Sequence, residues 1–93
     1  MEIKITEVRD LGRILRSVRK SAHVRLDDLA GFAGVSKQFV SDLEHGKETI
    51  RLGLVLKVLD EIGLHLKVDV PAAAEAHLEK SLANALLNEF KRD

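Results

Sequence analysis

The chain has 93 residues, of which 45% are hydrophobic and 32% are charged, and its formal net charge is zero. This length allows one compact domain with an appended element, and it is too short for two separate cores. The absence of cysteine excludes disulfide bonds, thiolate metal sites and a cysteine nucleophile. No apolar run reaches membrane-spanning length and no secretion signal is visible, so we expect a cytoplasmic protein without a membrane partner.

The positive charges are unevenly distributed along the chain. Residues 1–51 contain ten Lys or Arg and eight Asp or Glu, whereas residues 52–93 contain five and seven. Six of the cations lie in a stretch whose only acid is Asp10: Arg9, Arg13, Arg16, Arg19, Lys20 and Arg25. Such a cluster indicates either a basic face for nucleic-acid phosphates or an ordinary solvated helix face, and by itself it does not decide between them.

Apolar residues at helical spacing predict a first helix over residues 7–21. These residues are three and four positions apart: Leu11, Ile14, Leu15 and Val18. Thr6 precedes the helix and is expected to cap it, because its hydroxyl can accept a backbone N–H. The short alternating segment at residues 3–5 has the pattern of an edge strand.

Glycines separate the three helices that follow. The second is predicted from about Leu26 to Ala33 and ends at Gly34, which is expected to adopt a positive φ. The third begins after its N-cap, Ser36, and runs to about His45. The fourth spans roughly residues 50–62, and its expected inward side consists of Leu52, Val55, Leu56, Leu59 and Ile62.

Residues 64–70 alternate between apolar and polar at every step, which predicts a strand. Its apolar residues are Leu64, Leu66, Val68 and Val70. Pro71 ends this strand and can open a last helix at about residues 72–91. We therefore predict an all-α fold of four to five helices, with a short C-terminal strand and an extra C-terminal helix. Its parts are a domain over residues 7–63, a strand over 64–70 and an extension over 71–93.

Residues 26–45 meet several independent requirements of a helix-turn-helix. Ala30 is the small residue where the two helices cross, and the inward positions are apolar: Leu29, Ala33, Val35, Val40 and Leu43. The outward face of the second helix of this motif is polar: Lys37, Gln38, Ser41 and Asp42. This pattern predicts a recognition helix that lies in the major groove of DNA with its first residues at the base edges.

Three short motifs carry a resemblance to a known family: Leu29-Ala30, Ala33-Gly34-Val35-Ser36 and Leu43-Glu44-His45-Gly46-Lys47. Over about residues 8–62 the sequence resembles the XRE-type, phage-repressor-like helix-turn-helix family. The resemblance implies a salt bridge between Arg19 of the first helix and Glu44, which would hold the arginine toward the DNA backbone. Arg25 and Leu26 depart from the family pattern, in which Thr or Ser and then Gln begin the second helix.

The C-terminal layout narrows the resemblance further. Four helices followed by Leu-x-Leu-x-Val are similar to the HipB-type antitoxins, in which the strand after the helices joins two subunits. The resemblance implies an antitoxin that represses its own operon and binds a HipA-like Ser/Thr kinase toxin. A stand-alone XRE-type regulator, and a protein-interaction module that has lost DNA binding, remain the alternatives.

The residues expected to contact DNA fall into two groups. Base contacts are expected from Lys37, Gln38, Ser41 and Phe39, and phosphate contacts from Arg19, Arg25, Ser36, His45, Lys47 and Thr49. Lysine suits the guanine acceptors O6 and N7, and glutamine can bond adenine through two hydrogen bonds. Phosphate contacts fix the register of a protein on DNA without reading its sequence.

One helix-turn-helix makes few contacts, so we expect a homodimer on a palindromic operator in double-stranded DNA. The strand at residues 64–70 is the expected dimerisation element, paired with its own copy or with residues 3–5, and pairing within one chain is the alternative. The last helix either packs on the dimer or is presented to a partner. No arrangement of residues predicts catalysis, a metal site or a cofactor, so we expect a protein that is not an enzyme.

Overall fold

The computed structural model describes residues 1–90, except for the side chain of Phe90, and its regular elements are helices. In chain order they are α1 (Val8–Ser21), α2 (Leu26–Ala33), α3 (Lys37–Glu44), α4 (Leu52–Glu61), a 3-10 turn (Ala72–Ala74) and α5 (Glu75–Phe90). No strand occurs within residues 1–90, so the all-α prediction is confirmed. The last three residues of the predicted C-terminal extension lie outside the described residues.

The carboxylate of Asp10 organises the start of α1. Its Oδ2 accepts hydrogen bonds from the Thr6 backbone N–H at 3.0 Å, the Thr6 hydroxyl at 2.9 Å and the Glu7 backbone N–H at 3.2 Å. These bonds, the one from the Thr6 backbone foremost, hold the pKa of Asp10 below its ordinary value. The prediction that Thr6 accepts an N–H as the cap is wrong, because its hydroxyl donates and Glu7 is the N-cap.

The first four helices enclose an aliphatic core. Its buried side chains are Leu11, Leu15, Leu29, Ala30, Ala33, Val40, Leu43, Val55, Val58 and Leu59. Both α1 and α2 contact α3, and α2 also contacts α4. The core therefore supports α3 from one side and leaves its other side to solvent.

The turn between α2 and α3 has the predicted geometry. Gly34 adopts a φ of 71° and its N–H returns to the carbonyls at the end of α2, while the Val35 N–H donates to the Ala30 oxygen at 3.0 Å. A residue with a side chain would be strained at this φ, so glycine is the residue that permits so short a reversal. The bounds predicted for α2 agree with those observed.

The inward face of α4 differs from the prediction. Val55, Val58 and Leu59 are buried, whereas Leu52 is 61% and Leu56 is 46% exposed. The buried residues lie three and four positions apart, as one face of a helix requires. This face includes Val58, which was not predicted to point inward, and it excludes Leu52 and Leu56. Because apolar residues occur on both sides of α4, their spacing did not determine which side faces the core.

Residues 64–70 form no strand within the described chain, so the predicted strand is absent here. The Leu64 N–H donates to the Leu59 oxygen at 2.9 Å and ends α4, and the Leu64 side chain packs against the core. Leu66 and Val68 are exposed. The alternative of pairing with residues 3–5 produces no ladder, although Lys67 Nζ lies 3.3 Å from Glu2 Oε1.

α5 does not cover the core of its own chain. Every residue from 75 to 89 is exposed, including the leucines of its apolar stripe. The radius of gyration is 16.5 Å, which exceeds the roughly 12 Å expected of a compact chain of this length. Among the described residues, no helix has both the length and the apolar character needed to cross a membrane.

α1 lies very close to α3 at Gly12. A Cβ at this position would overlap the carbonyl oxygen of Leu43 and lie 2.7 Å from that of Glu44. Both obstacles are backbone atoms, which cannot rotate away as a side chain would. The two helices can therefore keep this distance only with glycine at position 12.

We predict that Gly12→Ala lowers the free energy of unfolding by about 1–3 kcal/mol, because the new methyl group forces α1 away from α3. Gly31→Ala is the matched control, since a Cβ there meets no atom within 4 Å. In the control, the higher helix propensity of alanine stabilises α2 by up to about 1 kcal/mol. Urea unfolding of both variants measures the difference, and equal stabilities would contradict the close approach.

Candidate nucleic-acid interface

α3 presents one polar face to solvent. The helix begins at Lys37 because the Ser36 Oγ accepts the Phe39 backbone N–H at 3.0 Å. Lys37 and Gln38 are exposed and Ser41 and Asp42 are half-exposed, and these four residues constitute the polar face. The opposite side is buried, with Val40, Leu43 and Glu44 against the rest of the domain.

Three interactions link residues of the polar face to one another and to the following loop. Gln38 Nε2 donates to Asp42 Oδ1 at 2.8 Å, one helical turn further along. The Lys47 Nζ lies 3.6 Å from Asp42 Oδ2, and the Lys47 N–H donates to the Asp42 carbonyl at 3.0 Å. Asp42 therefore connects the second residue of α3 to the loop that follows this helix.

A nearly buried ion pair ties α1 to the end of α3. Arg19 Nε donates to Glu44 Oε2 at 2.7 Å and Arg19 Nη2 donates to Glu44 Oε1 at 2.9 Å, while Nη1 donates to the Val24 carbonyl at 3.1 Å. The side chains of Arg19 and Glu44 are 11% and 3% exposed. The hydrogen bond with Glu44 raises the pKa of Arg19, so the guanidinium stays charged.

This pair limits what Arg19 can offer to DNA. A guanidinium has five N–H groups, and three of those of Arg19 are used inside the domain. At most two remain for the phosphate contact predicted from the sequence. The geometry assigns Arg19 first to positioning α3, and its phosphate contact remains a prediction.

The other residues predicted to contact phosphates are exposed, at the start of α2, at the start of α3 and in the loop after α3. Ser36 accepts the cap bond through its oxygen, so its hydroxyl proton remains able to donate. Arg25 is exposed, with its Nε 3.3 Å from Asp27 Oδ1, and both Lys47 and Thr49 are exposed in the loop after α3. Their contacts with phosphate remain predictions.

The position of His45 restricts its chemistry. Its Nδ1 lies 2.7 Å from the Ser41 carbonyl oxygen, and a carbonyl only accepts, so Nδ1 carries the proton. In the neutral ring Nε2 is then an acceptor, and a phosphate oxygen is also an acceptor. The predicted phosphate contact of His45 therefore requires the imidazolium form.

Within residues 1–90 no three His, Asp or Glu side chains are arranged to hold a metal ion.

Phe39 lies at the edge of the polar face. Its ring is half-buried and packs against the core. It also lines a small cavity of about 190 Å³ between α3 and the loop before α4, together with Asp42, Lys47, Thr49, Ile50 and Arg51. Phe39 therefore has a packing role that the sequence analysis did not assign to it, and its predicted base contact remains a prediction.

The sequence matches the family described as "Helix-turn-helix domain" over residues 10–76. The chain belongs to this family. A relative from Sinorhizobium fredii (strain NBRC 101917 / NGR234), "Uncharacterized HTH-type transcriptional regulator y4mF", is 42% identical over 71 residues, which are 76% of this chain and 93% of the relative. The predicted membership of a helix-turn-helix family is thus confirmed.

Solved structures share the fold. A chain of the HipA-HipB-O2-O3 complex superposes with a TM-score of 0.69 at 20% identity, covering 74% of this chain and 97% of that one. A chain of the HipB-O4 20mer complex superposes with a TM-score of 0.68 at 20% identity, covering 74% of this chain and 97% of that one. The clp gene regulator ClgR from C. glutamicum gives 0.59 at 29% identity over 71% and 85%. The predicted likeness to the HipB fold is confirmed.

Two residues of the site were not assigned a role by the sequence analysis. Asp42 was noted only as a polar residue, although the spacing of Gln38 and Asp42 by four positions is a recognised hydrogen-bonding pattern on helices. Gly12 gave no signal, because a glycine within a helical pattern indicates close packing only when the neighbouring helix is known.

We predict that Glu44→Ala lowers the free energy of unfolding by about 3–5 kcal/mol, because it leaves the Arg19 guanidinium buried without its counter-ion. The double variant Arg19→Met/Glu44→Leu replaces both charges by apolar groups of similar size. It should lose less free energy of unfolding than Glu44→Ala, because no buried charge is left unpaired. A double-mutant cycle by urea unfolding, completed by the single variants Arg19→Met and Glu44→Leu, should give a coupling free energy of about 1–3 kcal/mol. Additive losses would show that the two side chains do not stabilise the fold as a pair.

Proposed function

We propose that this protein is a sequence-specific, DNA-binding transcriptional regulator. The observation that carries the proposal is the polar face of α3, held on a domain whose packing fixes the direction of that helix. Further support comes from the relative named as a transcriptional regulator and from the HipB chains, whose structures include the HipB-O4 20mer and HipB-O1-O2 complexes. A rigidly held helix with polar residues at its start can enter the major groove.

The proposed contacts divide by role. Lys37, Gln38 and Ser41 read base edges from the first turns of α3. Five residues around α3 contact phosphates and set the register: Arg25, Ser36, His45, Lys47 and Thr49. The basic residues in this set make binding salt-dependent, because each neutralised phosphate releases counterions.

The proposed regulator is a dimer on a palindromic operator. Residues 65–70 form no ladder within the part of the chain that the structure describes, and Leu66 and Val68 are exposed. The backbone N–H and C=O groups of such a segment can form hydrogen bonds with the same segment of a second chain, when the two pair as strands. We therefore propose that Leu66, Val68 and Val70 take part in dimerisation, with Leu64 anchoring the segment to its own core.

We predict that the full-length protein protects a palindrome upstream of its own gene in a footprint. Lys37→Ala/Gln38→Ala abolishes the protection, because the base contacts are lost, whereas Lys80→Ala/Asn84→Ala on α5 removes the same kinds of side chain and leaves it intact. Raising the salt concentration weakens protection. Lys47→Ala reduces the slope of the logarithm of the binding constant against the logarithm of the salt concentration by about 1. Absence of protection at low salt would overturn the proposal in favour of a protein-interaction module.

A second, finer function is proposed for α5. We propose that the protein is an antitoxin and autorepressor, and that α5 docks into a groove of a HipA-like kinase toxin. The exposed leucines of α5 support this, because a 16-residue helix whose described side chains are exposed is only marginally stable in water and gains stability from a partner. A stand-alone regulator would have no such partner.

We predict that the chain shortened to residues 1–70 melts at the same temperature as the full chain and still protects DNA, but no longer co-purifies with a kinase encoded beside its gene. Full-length Leu82→Lys/Leu86→Lys should also lose the kinase, which separates the leucines from chain length. A melting temperature lower by about 4 °C or more would show that α5 stabilises the dimer instead. No complex with the wild type would favour the stand-alone regulator.

A further inference from the structure

Asp42 lies on the polar face of α3, where a carboxylate would repel DNA if it stood alone. Both of its oxygens are engaged: Oδ1 accepts from Gln38 Nε2 at 2.8 Å, and Oδ2 lies 3.6 Å from Lys47 Nζ. The Asp42 side chain is 30% exposed. The negative charge of Asp42 is thus partly shielded by Gln38 and Lys47.

The bond to Asp42 determines which way the Gln38 amide points. A carboxylate has no hydrogen to donate, so only the NH₂ group of Gln38 can face it. One N–H is consumed in that bond. The second N–H and the carbonyl oxygen of Gln38 remain, and together they present one donor beside one acceptor.

One donor beside one acceptor matches adenine. In the major groove adenine offers the N7 acceptor and the N6 amino donor, whereas guanine offers two acceptors, N7 and O6. We propose that Asp42 is a positioning residue that holds the Gln38 amide in the orientation that reads adenine and rejects guanine. The inference rests on the proposed function, because it assigns a base to a residue already proposed to read DNA.

Lys47 completes the arrangement from the loop after α3. Its ammonium group offsets the charge of Asp42, and its backbone N–H donates to the Asp42 carbonyl, which fixes the loop to the helix. The side chain of Lys47 is more than half exposed, so its remaining donors can still meet a phosphate. Base reading and backbone contact are therefore connected through one carboxylate.

Asparagine at position 42 provides the sharpest test. Its side chain is nearly the same shape as aspartate but has both an acceptor and a donor, so it can bond the Gln38 amide in either orientation. In the reversed orientation Gln38 presents two N–H donors, which match the two acceptors of guanine. Asp42→Asn should therefore admit guanine, whereas Asp42→Ala should leave the amide unrestrained.

The experiment is a selection of binding sites from random DNA duplexes, with full-length wild type, Asp42→Asn, Asp42→Ala and Gln38→Ala. The position whose base preference disappears in Gln38→Ala identifies the base read by Gln38. There the wild type prefers adenine to guanine by about 5- to 150-fold, the range for one bidentate contact. In Asp42→Asn this ratio falls toward equality. The ratio compares two DNA sequences for one protein sample, so partial unfolding does not alter it.

Glu48→Gln is the matched control, because it removes one negative charge from the exposed loop after α3. It should raise affinity uniformly and leave the adenine preference unchanged. An unchanged adenine preference in both Asp42 variants would overturn the positioning role while leaving the DNA-binding function intact. Loss of a cytosine preference in Asp42→Ala, with adenine still selected, would also overturn it, since Asp42 would then read a base directly. A wild type that selects no sequence would overturn the proposed function itself.

Discussion

The contact between α1 and the C-terminal end of α3 is the constraint on which the rest of the site depends. At Gly12 the backbones approach so closely that no side chain can intervene. About two helical turns further along α1, Arg19 donates two hydrogen bonds to Glu44. A bidentate ion pair adds an orientational restraint to this packing, because its two bonds require one orientation of two planar groups.

The C-terminal end of α3 is held by the ion pair with α1, whereas its N-terminal end lies at the surface. Ser36 satisfies the Phe39 N–H, and Gly34 reverses the chain, so α3 can start at the surface without burying unpaired backbone groups. The buried residues of α3 hold the opposite side against the core. The direction in which Lys37 and Gln38 project is therefore set by contacts that involve neither residue, and substitutions on the polar face can change recognition without changing the fold.

The sequence was sufficient to predict the features that depend on local chemistry. The bounds of α2, the cap at Ser36, the positive φ at Gly34 and the all-α class follow from spacing, hydroxyl caps and glycine, which act within a few residues. The error at Thr6 was local, because Asp10, four residues further along, accepts the hydrogen bond of the Thr6 hydroxyl. The other errors occurred where distant parts of the chain determine the structure. The stripe of α4 was placed too far toward Leu52 and Leu56 because both sides of that helix are apolar, and a strand ladder at residues 64–70 requires a partner that one sequence does not specify.

In the proposed function the polar face combines two ways of recognising DNA. Lys37 is an exposed, flexible cation, which can adjust to a base or a phosphate but loses rotamer freedom when it does. Gln38 already holds a bond within the protein, so much of that entropic cost is met during folding, and its remaining hydrogen-bonding groups are oriented before any DNA arrives. An oriented amide discriminates between bases more sharply than a free one, because the wrong base then meets an unpaired group that cannot turn away. In this proposal Asp42 contributes to specificity even though its charge, considered alone, opposes the approach of DNA.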